Sequence, residues 1–247
     1  ATRGRLSWVT DDNAYNVRGP FADNGSQQYN LRGGILDIRD FTGVTGKGAD
    51  DQTTGMTSWI NALNNAHGQG ATLRGYAPRG VYRYTAALPD IGSGVDIIGD
   101  GPRTVFFNAT ASATVPALKV TGQNVYLEGF TVEGIPGSGD GIHLLESHYV
   151  TAKRVHVESC GTGQMGWTIE GVLSLLMEHC WGIVNVPPVF YTTDITGNGG
   201  RGVPARAFNI KSGPNFTNND HTYLALRYGG GTSGHGVVVG GDVTGLW

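Results

Sequence analysis

The sequence predicts an all-β solenoid of stacked parallel strands, and three observations carry that expectation. Phe130-Thr131-Val132-Glu133-Gly134, Val155-His156-Val157-Glu158-Ser159-Cys160 and Leu175-Leu176-Met177-Glu178-His179-Cys180 end alike, 25 and then 20 residues apart. That offset suits one solenoid coil. Within each stretch the apolar residues fall two apart, so strand alternation sends them to one face and the glutamates to the other. Glycine is frequent at 41 of 247 residues, charged residues are only 15%, and no long Ala/Glu/Lys/Leu-rich tract appears. Short strands joined by tight turns follow from that composition.

The elements can be taken in order. Residues 1 to 34 are rich in Asn, Asp, Gly and Arg without a sustained period and are expected to form an arm or attachment segment. Ile35-Leu36-Asp37-Ile38 reads as the first strand, leading to Asp40-Phe41 and the polar turn Gly46-Lys47-Gly48-Ala49-Asp50-Asp51. Asp50 or Asp51 is placed to cap a helix over residues 53 to 66, where Met56, Trp59, Ile60 and Leu63 recur at helical spacing before Gly68 and Gly70. Short strands follow around Ala71 to Leu73, Pro78 to Tyr84 and Val95 to Gly101. Later coils are expected at Val125 to Glu133, Gly141 to Leu144, Tyr149 to Glu158, Val172 to Cys180, Phe190 to Thr196, Ala207 to Lys211, Tyr223 to Arg227 and Gly236 to Val239. The solenoid domain thus runs from 35 to 247. Because the chain opens on Ala1 rather than Met and stops just after the apolar run Val237 to Val239, a partial chain is expected.

Composition excludes several functional classes. Net charge is −3 and Lys and Arg are scattered, which argues against nucleic acid as a partner. No apolar run approaches the ~20 residues that span a bilayer, so membrane insertion is not expected, and the N-terminus lacks the apolar core of a signal peptide. Cys160 and Cys180 sit at matching places in the repeat pattern. With strands about 4.8 Å apart they could be bonded, or could stand as thiols in an apolar column.

An Asp-Phe strand end, a Gly-x-Gly-x-Asp-Asp turn, a single helix, a Pro-x-Gly-x-Tyr strand and an Ile-x-Gly-Asp-Gly strand stand here as Asp40-Phe41, Gly46 to Asp51, residues 53 to 66, Pro78 to Tyr84 and Ile97 to Gly101. Together they resemble the entry to the pectate-lyase-like right-handed parallel β-helix superfamily, of the phage tail-spike and polysaccharide-depolymerase kind. The resemblance implies that the helix caps the N-terminal end of the solenoid.

Two groups of residues are candidates for chemistry. If the repeats stack in register, Glu133, Glu158 and Glu178 form an outward ladder of carboxylates about 5 Å apart, suited to acid/base chemistry on glycans or to calcium; the alternative is solvated side chains at strand ends. No other cofactor is expected. Thr193-Asp194, Asn219-Asp220 and Gly234-His235-Gly236 loosely resemble the Asn-Thr-Asp, Asp-Asp and Gly-His-Gly motifs of polygalacturonase-type glycoside hydrolases, which implies catalytic roles for Asp194, Asp220 and His235. Thr192 and Asn219 depart from that pattern, and no Arg-Ile-Lys follows. Trp167, Trp181, Tyr191 and Tyr223 are candidates to stack on sugar rings. His143 reads as a coil residue, and Gly197 to Gly202 as a loop rather than a dinucleotide site.

The expected function is a phage tail-spike or tail-fibre-like virion protein that recognises, and could depolymerise, bacterial surface polysaccharide. It would act as a homotrimer whose N-terminal arm docks other tail proteins. A secreted polysaccharide hydrolase or lyase and a purely structural tail component are the alternatives.

Overall fold

A computed structural model describes residues 34–68, 73–182, 206–211, 213–214, 219–224, 227–228 and 237–240. Strand β1 (Ile35–Asp37) leads through a single 3-10 turn at Ile38–Asp40 to helix α1 (Thr53–Gly68). There follow β2 (Arg74–Ala77), β3 (Gly80–Tyr84), β4 (Asp96–Gly99), β5 (Thr104–Asn108), β6 (Leu118–Val120), β7 (Tyr126–Gly134) and β8 (Ile142–Leu145). Then come β9 (His148–Val157), β10 (Met165–Glu170), β11 (Leu173–Glu178), β12 (Trp181–Gly182), β13 (Arg206–Lys211), β14 (Asn219–Leu224), β15 (Arg227–Tyr228) and β16 (Val237–Gly240).

Every pairing between these strands is parallel, and each links a strand to one from the next turn of the chain. One sheet runs β1-β2-β4-β7-β9-β11-β14, with β3, β5, β12 and β15 attached through β7 and β9; a second runs β6-β8-β10-β13-β16. This is the expected parallel solenoid. The long strands β7 and β9 serve two faces of each coil because they bend in the middle. Gly129 (φ 69°), Arg154 (φ 51°) and His179 (φ 53°) make that corner in successive coils, and Asn124, Tyr149 and Ser174 (φ 55°, 55° and 56°) make the corner before it.

Both corner series repeat every 25 residues, which corrects the expected register. Leu175 pairs with Val150 and Met177 with Ala152, so the third repeat stacks 25 residues from the second, not 20. The error has a physical source. Two faces of the coil carry the same apolar-x-apolar alternation, so Leu175 and Met177 match Val150 and Ala152 as well as Val155 and Val157. Val132 and Val157 do pair, but Met177 belongs to a different face. The cysteines consequently part company: Trp181 pairs with His156, which puts Cys180 level with Val155 rather than Cys160. Both are free, buried thiols; Cys160 Sγ lies 3.2 Å from the Met165 carbonyl and Cys180 Sγ 3.3 Å from that of Ala152. Burial pushes the Cys180 thiol up to about 12 and the Cys160 thiol up as well, so neither is reactive.

Inward side chains stack into columns along the solenoid axis. One runs Leu36, Gly75, Ile97, Leu127, Ala152, Met177 and Tyr223; another runs Tyr82, Phe106, Val132 and Val157; a third runs Leu118, Ile142, Trp167 and Phe208. Helix α1 closes the N-terminal end of this core with Met56, Trp59, Ile60 and Leu63 buried, as their spacing predicts. It fits because position 75 has no side chain: a Cβ there would lie 2.6 Å from both Leu63 Cδ1 and Trp59 Cζ2. Trp59 Nε1 donates to the Leu36 carbonyl at 2.9 Å, tying the helix to the first strand. Asp51 caps the helix, accepting from the Thr53 amide at 3.1 Å. Buried Gln52 fastens the preceding turn, accepting from the amides of Thr45 and Gly46 and donating to the Val81 carbonyl.

Candidate functional site

Alternation along each strand puts the residues between the buried ones on the outside, where stacking lines them up in polar ladders. On the face of β2, β4, β7, β9 and β11, one ladder runs Arg74, Asp96, Tyr126, Thr151 and Leu176, and its neighbour runs Tyr76, Ile98, Glu128, Lys153 and Glu178. The charges are paired between coils. Arg74 Nε lies 3.2 Å from Asp96 Oδ2, Lys153 Nζ lies 3.0 Å from Glu178 Oε2, and the Arg154 guanidinium pairs with Glu128 Oε1. Tyr126 donates to the other oxygen of Glu128 at 2.6 Å. Burial, reinforced by that hydrogen bond, pushes the Tyr126 hydroxyl up to about 12. Tyr76 reaches about 12 chiefly through its 2.6 Å hydrogen bond to the Asp100 carboxylate.

The outer face of β6, β8, β10 and β13 carries a second cluster. Lys119, His143, Thr168 and Asn209 are successive register partners, with Glu170 and Lys211 paired alongside. Glu170 Oε2 is 3.1 Å from His143 Nε2 and 2.8 Å from Lys211 Nζ. Asp140 accepts from the Thr168 hydroxyl at 2.6 Å and from the Met165 amide at 2.9 Å, and Lys119 pairs with Asp90 at 2.8 Å. A carboxylate sharing a hydrogen bond with an imidazole on an open strand face is equipped to accept or deliver a proton.

Glu170 also makes a testable contribution to stability. Burial alone would raise its carboxyl pKa, but the Lys211 hydrogen bond and charge, with His143, outweigh it and hold the group below the ordinary glutamate value. A pKa depressed by folding stabilises the protein above the unfolded value of about 4.3, and that stability is lost as pH falls through the folded value. Glu170→Gln is therefore expected to lower stability near neutral pH by under about 1 kcal/mol, the pair being solvent-facing, and to differ less from the wild type at pH 3. Urea unfolding of both proteins at the two pH values checks it.

The candidate residues are distributed differently from the expected ladder. Glu133 and Glu158 follow the paired residues Val132 and Val157 on adjacent coils, and the Glu158 amide donates to the Val132 carbonyl at 3.0 Å. Glu133 is fully buried beside its register partner Phe107, and Glu158 is half-buried. Glu178 stands opposite Lys153 on the other face, so the three carboxylates do not form one ladder. A calcium ion held by that trio does not fit this arrangement, since the third carboxylate is engaged by a lysine elsewhere. Among the described residues no group of three or more His, Cys, Asp or Glu side chains is arranged to hold a metal.

Trp167 is not a sugar platform: it is fully buried and stacks on Phe208 at 6.2 Å between ring centroids. Tyr223 packs against the core beyond Met177, its hydroxyl 3.0 Å from Nδ1 of buried His221. Trp181 does lie on the outer side of its strand, half-buried and stacked on His156 at 4.3 Å with the rings 10° from parallel. Asp194, His235 and Tyr191 lie outside the described residues, and Asp220 is placed only as a backbone position on β14. The His143–Glu170–Lys211 cluster was missed because its members belong to different coils. The available signal was the 25-residue step that separates His143 from Thr168, Glu128 from Lys153, and Lys153 from Glu178.

No protein-family model matches the chain, and no curated protein matches it. Solved structures do. ORF18 of Geobacillus virus E2 is 17% identical with a TM-score of 0.64, the match covering 86% of this chain and 42% of that one. The Streptococcus pneumoniae surface protein and adhesin PfbA is 14% identical with a TM-score of 0.58, over 82% of this chain and 54% of PfbA. The A-module of the Azotobacter vinelandii mannuronan C-5 epimerase AlgE4 is 17% identical with a TM-score of 0.53, over 81% and 58%. This chain thus spans about half the length of these structures, from 42% to 58%. Among the described residues no helix is long and apolar enough to cross a membrane. The polar ladders described above accordingly stand on a parallel β-solenoid, a fold this chain shares with these structures.

Proposed function

We propose that the chain is the glycan-recognising β-helix of a phage tail spike, binding polysaccharide on the bacterial surface. The observation that carries this reading is the pair of outer faces on which paired charges and hydroxyls, with one imidazole, line up from coil to coil. Parallel strands repeat about every 4.8 Å, so such a face offers polar groups at regular spacing along the stack, which suits a polymer with repeating hydroxyls. The neighbouring structures support the reading in kind: one comes from a virus, one is a surface adhesin and one is a mannuronan epimerase. The spike is a homotrimer, sited on the virion, with residues 1 to 34 joining it to other tail proteins.

Cleavage of the bound glycan is favoured by the Glu170–His143 pair on the β8–β10 face, which supplies a proton acceptor and donor side by side. Glu133, Glu158, Glu178, Asp194, Asp220 and His235 are the further residues to substitute. The test combines solution mass with incubation on capsule and cell-wall glycans of candidate hosts, followed by reducing-end and unsaturated-product assays. A trimer that binds one of these glycans is expected, with cleavage lowered at least tenfold in Glu170→Gln. A monomer that cleaves glycan would favour a secreted polysaccharide hydrolase or lyase instead, and a trimer that binds none would leave a structural tail component.

A further inference from the structure

An exposed tyrosine side chain on the solenoid is held against its backbone preference and, among the described residues, enters no hydrogen bond, ion pair or ring contact. Tyr149 has φ 55° and is 63% exposed. Bulky residues avoid this left-handed region, which glycine enters freely and asparagine tolerates. The register of Asp96 with Tyr126, and of Tyr126 with Thr151, aligns Tyr149 with Gly94 (φ 67°) and Asn124 in the preceding coils; Ser174 follows in the next. Glycine and asparagine are residues such a corner favours, and serine is at least small. Tyrosine is the exception, and among the described residues no hydrogen bond or ring contact involves its side chain. Strain retained at a largely exposed aromatic, with no hydrogen bond or ring contact among the described residues in return, points to use by a ligand.

We infer that Tyr149 is a stacking subsite for the apolar face of an uncharged pyranose ring, with Asn124 and Ser174 on the flanking coils meeting the ring hydroxyls. An aromatic plane matches the C–H face of a sugar, and flanking groups about 4.8 Å to either side lie within reach of its equatorial hydroxyls. The groups on either side in the corner column carry no charge, which selects a neutral sugar over a uronate. The inference rests on the proposed glycan-binding function and names the sugar class and position that this function would use.

Affinity electrophoresis of the full chain through gels containing dextran, galactomannan or alginate tests it, alongside thermal melting. The wild type is expected to be retarded by at least one of the two uncharged polymers. Tyr149→Gly should weaken that retardation at least tenfold while raising the melting temperature, because glycine relieves the corner; Tyr149→Asn should behave alike, and Tyr149→Phe should bind as the wild type does. Equal retardation of wild type and Tyr149→Gly overturns the inference, as does a fall in melting temperature in both the Gly and Asn variants. Retardation by alginate alone overturns the sugar class while leaving glycan binding in place. No retardation of the wild type by any of the three overturns the Tyr149 inference, while glycan binding itself is decided by the host-glycan assay above.

Discussion

Phe106→Ala is expected to cost about 3–5 kcal/mol, the range for emptying a large aromatic site in a core that cannot collapse. Phe106 is buried and sits in register between Tyr82 and Val132, with ring centroids 5.8 Å from Tyr82, 5.1 Å from Phe130 and 6.3 Å from Trp59 of the capping helix. It is the point where the helix cap, the first coils and the later coils share one set of contacts. A domain of ordinary stability has roughly 5–15 kcal/mol in all, so the variant should be marginally folded or unfolded at 37 °C. Phe106→Leu, which keeps most of the volume, should cost under about 1.5 kcal/mol. Urea denaturation of the three proteins checks the order; equal stability of wild type and Phe106→Ala would mean that the ring is not in a stacked core.

Gly122→Ala is expected to be nearly as damaging for a different reason. A Cβ at position 122 would fall inside the envelope of the Gly92 carbonyl carbon and the Ser93 nitrogen, which are backbone atoms of the preceding coil. The two coils are bonded there through Gly94 N–H to the Gln123 carbonyl at 2.7 Å and Gly122 N–H to the Ile91 carbonyl at 3.2 Å. Overpacking against side chains commonly costs 1–3 kcal/mol. Backbone of an adjacent coil cannot rotate away, so a loss of about 3 kcal/mol or more is expected. Gly68→Ala is the control: nothing lies within 4 Å of a Cβ there, and its effect should stay within about 0.5 kcal/mol. Melting temperatures of both variants decide the matter, and a Gly122→Ala protein as stable as Gly68→Ala would deny the close coil-to-coil approach.

Local signals in the sequence carried the solenoid, the capping helix and its buried Met56, Trp59, Ile60 and Leu63. Each depends on spacing within one segment, where side-chain direction follows from backbone period alone. The stacking register was less legible. A strand face alternates identically whether it precedes or follows a corner, and the corners that distinguish the two are made here by Arg154, His179 and Tyr149 as well as by glycine. Residues that seldom take positive φ conceal a turn that glycine would have announced. The misplaced register displaced everything built on it: Glu178 moved from the ladder to Lys153, and Cys180 moved away from Cys160. The same blindness hid the Glu170 cluster, whose members meet only through stacking. Trp167 lies in the core rather than on a sugar-stacking face; the two kinds of aromatic share a composition, and only the inward or outward phase of the strand separates them.

The central claim is that successive coils lie 25 residues apart across β7, β9 and β11, and paired cysteines test it most directly. Residues 153 and 178 are register partners on an exposed face, and neighbouring strands about 4.8 Å apart lie within disulfide reach. Under mild oxidation the double variant Lys153→Cys/Glu178→Cys should form an intramolecular disulfide, seen as a cross-linked peptide by mass spectrometry. Glu158→Cys/Glu178→Cys, with its 20-residue spacing, should not. Cross-linking of the second pair and not the first would contradict the stacking on which the polar faces and the Tyr149 corner depend.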